Sequence, residues 1–215
     1  MVVIDDHELV SAAMVLALRE AGLHATRCPV TDAAGVLAEV ATTPPRLILL
    51  DLDLGHDAEG RPVDGVELIG GLRAQGCAVL VVSGTADRRR VAAAIAAGAQ
   101  GWVSKSAPLP TLTAAAIDAV AGRPVMSEVE RAEWLAYERE HREQAAALTR
   151  RLERLTARER EVLDRLVEGR RAAAIAAEFV VSLTTVRSQI RSILLKLQVR
   201  SQLEAVALVR ERRRW

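Results

Sequence analysis

Hydrophobic positions in the first 122 residues fall into short β-branched or aliphatic runs that alternate with alanine-rich amphipathic stretches. That is the pattern of βα units wound around a parallel sheet. Five units are predicted, with strands at Val2–Ile4, Leu23–Arg27, Arg46–Leu50, Ala78–Val82 and Gly101–Ser104. The helices that follow them fit Glu8–Ala21, Asp32–Ala41, Val66–Ala74, Asp87–Ala97 and Leu109–Ala121. In such sheets the functional groups gather at the carboxyl ends of the strands.

The pattern then changes. Ser127 to Leu155 has no glycine or proline and is dense in Glu, Arg and Ala, which predicts one long helix capped by Ser127. A heptad seam through His141, Ala145, Leu148, Leu152 and Leu155 leaves two readings open, packing against the helix's own domains or a two-stranded coil. From Leu155 onward short helices are expected. Thr156 and Glu159 form a Thr-x-x-Glu capping box that opens one to about Glu168, with Gly169 as its stop. A second covers about Arg171–Glu178, Ser182 caps a third over Leu183–Leu197, and Ser201 caps a fourth to about Glu211. Domains are therefore expected at 1–122 and 155–215, joined by a helical linker at 123–154.

Composition sharpens this. The chain has 215 residues, half of them hydrophobic, enough for two cored domains. Five aromatic residues argue against the stacking platforms that read single-stranded nucleic acid. Cys28 and Cys77 fit neither a disulfide framework nor a zinc site, so reduced thiols in a cytoplasmic protein are expected. No apolar run is long enough for a membrane span, and Asp5 and Asp6 interrupt any signal peptide, so no membrane association is expected. The first strand begins at Val2, which leaves room for a natural chain that starts earlier. The net charge of +1 is a cancellation: residues 1–122 carry −5, residues 123–155 carry 0 and residues 156–215 carry +6. Two partners of opposite sign follow, a cation or basic surface for the first part and nucleic acid for the last.

Asp5 and Asp6 end the first predicted strand, Asp51 ends the third, Ser83 ends the fourth and Lys105 follows the fifth. Clustered carboxylates repel unless a cation sits among them, and a hard oxygen cage suits Mg²⁺. A lysine and Mg²⁺ beside a carboxylate suit phosphoryl transfer. With the stretch Ala97-Gly98-Ala99-Gln100-Gly101-Trp102 before Lys105, residues 1–122 resemble a bacterial two-component response regulator receiver domain, flavodoxin-like in fold. The resemblance implies that Asp51 accepts phosphate from a sensor histidine kinase. It implies that Asp6 binds Mg²⁺ directly, with Asp5 assisting and Asp53 lending its backbone carbonyl beside Asp51. Ser83 would hydrogen-bond the phosphate, Lys105 would pair with it, and Trp102 would occupy the aromatic switch position. The helix opened by Asp87–Arg90 belongs to the face where such receivers dimerise or meet their output domain, and its three arginines fit either an interface or a solvated face. This chain departs from the pattern at Leu54-Gly55, at Ser106 and in a long 54–63 loop.

Residues 155–209 resemble the LuxR-type helix-turn-helix domain of NarL/FixJ response regulators through Leu155-Thr156-x-Arg158-Glu159-x-Glu161-Val162-Leu163, Gly169, Ile175-Ala176 and Thr185-Val186-Arg187. By that resemblance Leu183–Leu197 is the recognition helix, with Thr184, Thr185, Arg187, Ser188, Gln189 and Arg191 as candidate contacts to double-stranded DNA and Lys196 near its backbone. Arg212–Arg214 is expected to be a frayed basic tail. The whole implies a transcriptional regulator, not an enzyme, that forms a homodimer at least when active. Two alternatives stand beside it: a regulator that works without phosphate, for which Trp102 and the 54–63 loop are the motive, and a haloacid-dehalogenase-like phosphatase built on Asp51-Leu52-Asp53. Chain order opposes the phosphatase, because its nucleophile normally sits on the first strand.

Overall fold

A computed structural model describes residues 1–84 and 87–212 of the chain. It divides into two compact units, with the boundary inside a helix between Arg139 and Glu140. The basic tail expected at 212–214 lies, beyond Arg212, outside the described residues.

In the first unit, β1 (Val2–Ile4), β2 (Thr26–Cys28), β3 (Leu47–Leu50), β6 (Ala78–Ser83) and β7 (Gly101–Ser104) form one parallel sheet in the order β2-β1-β3-β6-β7. Helices α1 (Glu8–Glu20), α2 (Ala33–Thr42), α3 (Gly65–Ala74), α4 (Arg88–Ala96) and α5 (Leu109–Val120) flank it. The period-two alternation of strand side chains fills two cores. Ile48 and Leu50 pack on one side with Val36, Leu68, Ile69, Leu72, Val91 and Ile95, while Leu47 and Leu49 pack on the other with Met14, Leu18, Leu112 and Ala116. This is the expected flavodoxin-like architecture. The crossover between β1 and β3 places Asp5 and Asp51 side by side, because Ile4 and Leu50 are register partners.

Two local expectations differ. The second strand starts at Thr26, not Leu23, because the end of α1 claims Leu23: the Leu23 N–H bonds the Leu18 carbonyl at 2.9 Å, across Gly22 at φ +81°. The loop at 54–63 is an antiparallel hairpin of β4 (Asp53–His56) and β5 (Pro62–Asp64). Its turn is closed by the Asp57 carboxylate, which accepts from the backbone of Glu59 and Arg61 at 3.0 and 2.8 Å and from the Arg61 side chain at 2.8 Å.

The helix α6 (Glu128–Glu153) carries the boundary between units. Ser127 caps it as expected: its hydroxyl accepts from the Glu130 N–H, and Glu130 accepts in return from the Ser127 N–H at 3.0 Å. Residues up to Arg139 belong to the first unit, and Leu152 packs on the core of the second, the unit to which the buried Leu148 belongs. That second unit is all-helical: α7 (Ala157–Val167), α8 (Ala172–Glu178), α9 (Leu183–Leu197) and α10 (Gln202–Arg212). The Thr156–Glu159 capping box forms, and the Ser182 hydroxyl accepts from the Thr185 N–H to open α9. Val162, Leu163, Leu166, Ile175, Val186, Ile190, Ile193 and Leu197 are all buried, forming the expected core.

Candidate functional site

At the carboxyl edge of the sheet, ligand atoms of Asp5, Asp6, His7 and Asp51 lie within 4.8 Å of one another. Asp5 and Asp51 are only 4% and 3% exposed. Among them reaches the half-buried Lys105, whose ammonium donates to Asp51 Oδ2 at 2.5 Å and forms an ion pair with Asp5 Oδ2 at 2.7 Å. Burial pushes the Asp51 carboxyl above the usual carboxylate range, and the hydrogen bond from Lys105 offsets this only in part. Burial alone would depress the Lys105 ammonium, but its bonds to Asp5 and Asp51 outweigh that and hold it above an ordinary lysine.

The backbone is shaped around these groups. Gly65 is required by close approach: a Cβ there would lie 2.1 Å from the Asp51 carbonyl oxygen, and the Gly65 N–H bonds the Leu52 carbonyl at 2.9 Å. Arg90 on α4 reaches back to donate to the Leu52 carbonyl and, at 2.8 Å, to Asp64, the residue that caps α3. Ser83 is buried at the end of β6, in register with Ser104, and the Lys105 N–H bonds its carbonyl at 2.9 Å. Asp53 is exposed at the start of β4, and its backbone N–H donates to the Asp51 carboxylate. The Trp102 ring lies 6.1 Å and 84° from that of Trp134 on α6.

Three residues to which the sequence assigned no role at this edge belong to it. His7 bonds Asp6 through Nδ1 at 2.7 Å and Asp5 through its N–H at 2.8 Å. Its position directly after the acidic pair was the available signal. Gly65 and Arg90 could be found only from the three-dimensional approach of α3 and α4 to Leu52.

Chemically, three clustered carboxylates and an imidazole fit a hard divalent cation, and Lys105 supplies the fixed positive charge beside Asp51. The profile of the response regulator receiver domain matches residues 1–117, more than half the chain. The chain belongs to the response regulator family. A second profile, described as bacterial regulatory proteins of the luxR family, matches residues 153–209 of this response regulator. Among curated relatives, the probable transcriptional regulatory protein NarL of Mycobacterium tuberculosis is 30% identical over 96% of this chain and 91% of its own. The nitrate/nitrite response regulator protein homolog of Haemophilus influenzae is 27% identical over 98% and 96%. The response regulator ChrA of a heme-sensing two-component system superposes with a TM-score of 0.50 at 25% identity, covering 99% of this chain and 96% of that one. RcsB in complex with DNA has the same fold, with a TM-score of 0.50 at 20% identity, covering 97% and 96%.

In the second unit of the response regulator, α9 presents Thr184, Thr185, Arg187, Ser188 and Arg191 to solvent. Gln189 and Lys196, the other two expected contacts, are less exposed. Gln189 is half-buried, with its Oε1 enclosed. Lys196 is committed to Glu159, its ammonium 2.6 Å from Oε2, while Ser192 donates to Oε1 of the same carboxylate at 2.6 Å. Buried Glu159 thus joins the start of α7 to the far end of α9. Despite the burial, bonds from Lys196, Ser192 and the Thr156 backbone hold its carboxyl down at about 2. Among the described residues no helix is long and apolar enough to cross a membrane.

Proposed function

We propose that this response regulator is switched by phosphorylation of Asp51 by a sensor histidine kinase and then pairs on double-stranded DNA. The observation that carries the reading is Lys105 bridging buried Asp51 and Asp5. Asp5, Asp6 and Asp51, with the Asp53 carbonyl, would hold Mg²⁺, which when bound neutralises phosphate oxygens and the acidic cluster together. In the transfer, a carboxylate oxygen of Asp51 forms a bond to phosphorus as the phosphorus–nitrogen bond of the donor's phosphohistidine breaks, and the nitrogen keeps the electron pair and takes up a proton. Lys105 pairs with the phosphoryl oxygens in place of the Asp51 carboxylate. Ser83, buried at the next strand end, supplies the hydroxyl that the new acceptor oxygens draw inward.

The exposed face of α9 supports the output. Arg187 and Arg191 lie one turn apart with Thr184, Thr185 and Ser188, suited to phosphate and base-edge contacts in a major groove. Pairing of two chains matches two half-sites. The two cysteines, both free and buried, accord with a cytoplasmic protein. The test loads wild type and Asp51→Asn with acetyl phosphate and Mg²⁺ and compares molecular size and operator binding. Phospho-control predicts larger size and tighter binding in the wild type alone, and equal behaviour in every state overturns it.

A further inference from the structure

The run Arg88-Arg89-Arg90 opens α4, and two of its members point to different places. Arg90 is bonded to the Leu52 carbonyl, one residue beyond Asp51, and to Asp64. Arg88 lies over two aromatic rings of α6, 5.3 Å from the Trp134 centroid and 4.9 Å from that of Tyr137. Those rings are three residues apart, so they sit on one face of the helix. Trp134 also meets Trp102 edge to face at 6.1 Å. One turn earlier, Arg131 donates to the carbonyls of Ala99 and Gln100 at 3.1 and 2.5 Å, just before β7. Met126 and Trp134 pack against the core that holds Val91, Ile95 and Ala99.

We propose that the first half of α6 is a latch seated on α4 and β7, held by Arg131, Trp134 and Tyr137 and released when Asp51 is phosphorylated. The proposal rests on the phosphoacceptor reading. Both supports of the latch lead to the acceptor: α4 is tied to the Asp51 loop by Arg90, and β7 is followed directly by Lys105, which bonds Asp51 itself. A phosphoryl group takes Lys105 as its partner, crowds the Leu52 carbonyl that Arg90 holds, and draws Ser83 inward, opening room beneath Trp102. As Trp102 follows, its edge leaves Trp134, and the remaining contacts of Arg88 and Arg131 no longer keep the helix seated. The contacts are an aromatic pair, a cation over two rings and two carbonyl bonds, a set weak enough to reverse. The consequence falls on the segment that joins the two units, since α6 continues unbroken past Arg139.

The test is hydrogen exchange on the full chain at the amides of residues 128–139, with and without acetyl phosphate and Mg²⁺, alongside intact mass for the added phosphoryl group. In the wild type the phosphorylated form should exchange about tenfold faster in this segment, and Asp51→Asn should not change. Trp134→Ala should exchange fast before any phosphodonor is added while taking up the phosphoryl group as the wild type does. Arg88→Gln, at an exposed first-turn position, serves in the same way should Trp134→Ala fold poorly, with protection of β3 and β6 as the check on folding. Phosphoryl mass without a change at 128–139 overturns the latch alone. Faster exchange in Asp51→Asn also overturns it. Absence of phosphoryl mass from the wild type overturns the phosphoacceptor reading and the latch with it.

Discussion

Lys105 Nζ stands 2.5 Å from Asp51 and 2.7 Å from Asp5, so one ammonium is shared by two buried carboxylates that follow different strands. Replacing it by alanine leaves those carboxylates facing each other without a counter-charge. Lys105→Ala is expected to stay folded but to take phosphate from a small phosphodonor about 100-fold more slowly, because a fixed charge on the phosphoryl oxygens is lost. Intact mass followed over time measures this. An unchanged rate would place the phosphoryl group elsewhere.

Gly65 is the second control on the acceptor. A methyl group there meets the Asp51 carbonyl oxygen at 2.1 Å and Leu52 Cα at 2.9 Å, both of them backbone, so α3 must back away or the acceptor loop must move. Gly65→Ala should cost about 2 kcal/mol of stability and weaken divalent-cation binding, read from urea unfolding and a Mg²⁺ titration of tryptophan fluorescence. Gly70, whose Cβ would meet nothing within 4 Å, is the matched control.

How far these features were legible in the sequence depends on how local their causes are. The capping box at Thr156 and the caps at Ser127 and Ser182 were legible because donor and acceptor lie within three residues. The sheet edge was legible because Asp5, Asp51, Ser83 and Lys105 each follow an apolar run. The hairpin was not, since its turn depends on three bonds converging on Asp57, and neither was the start of β2, which a bond to Leu18 displaces. Arg88 and Arg90 read equally well as a solvated face, because their partners lie 46 and 38 positions away at Trp134 and Leu52. The Lys196–Glu159 pair was not legible either, because its members lie 37 positions apart on different helices.

That pairing gives the second unit an acid limit. The Glu159 carboxyl is held at about 2, below its ordinary 4.5, so the unfolded chain binds a proton more readily than the folded one. Its contribution is therefore complete above pH 4.5 and is lost as pH falls from 4.5 toward 2, by roughly 1–3 kcal/mol. Glu159→Gln should remove that dependence and lower stability at neutral pH, leaving Lys196 without its partner. Urea unfolding followed by circular dichroism at a series of pH values checks both.

Val180 stands in the turn before α9 at φ +54°, a left-handed conformation that a β-branched residue resists, with its side chain 90% exposed. Truncation gives up no burial. Val180→Gly should raise stability by about 0.5–1 kcal/mol and increase Tm, with operator affinity unchanged. A fall in Tm would show that the methyl groups have a partner.

The two kinds of cation on α9 should separate in a salt titration. Arg187 and Arg191 are exposed one turn apart, whereas Lys196 is bonded to Glu159 at 2.6 Å. Each phosphate contact adds about 0.9 to the slope of log affinity against log salt. Arg187→Ala and Arg191→Ala should each weaken operator binding at physiological salt and reduce that slope by about one. Lys196→Ala should leave the slope nearly unchanged and instead lower stability, because it strands the Glu159 carboxylate and loosens α9 from α7. Fluorescence anisotropy on a labelled operator at several salt concentrations, paired with urea unfolding of each variant, distinguishes the two. A slope change for Lys196→Ala equal to that of Arg187→Ala would mean that its ion pair with Glu159 opens to bind DNA.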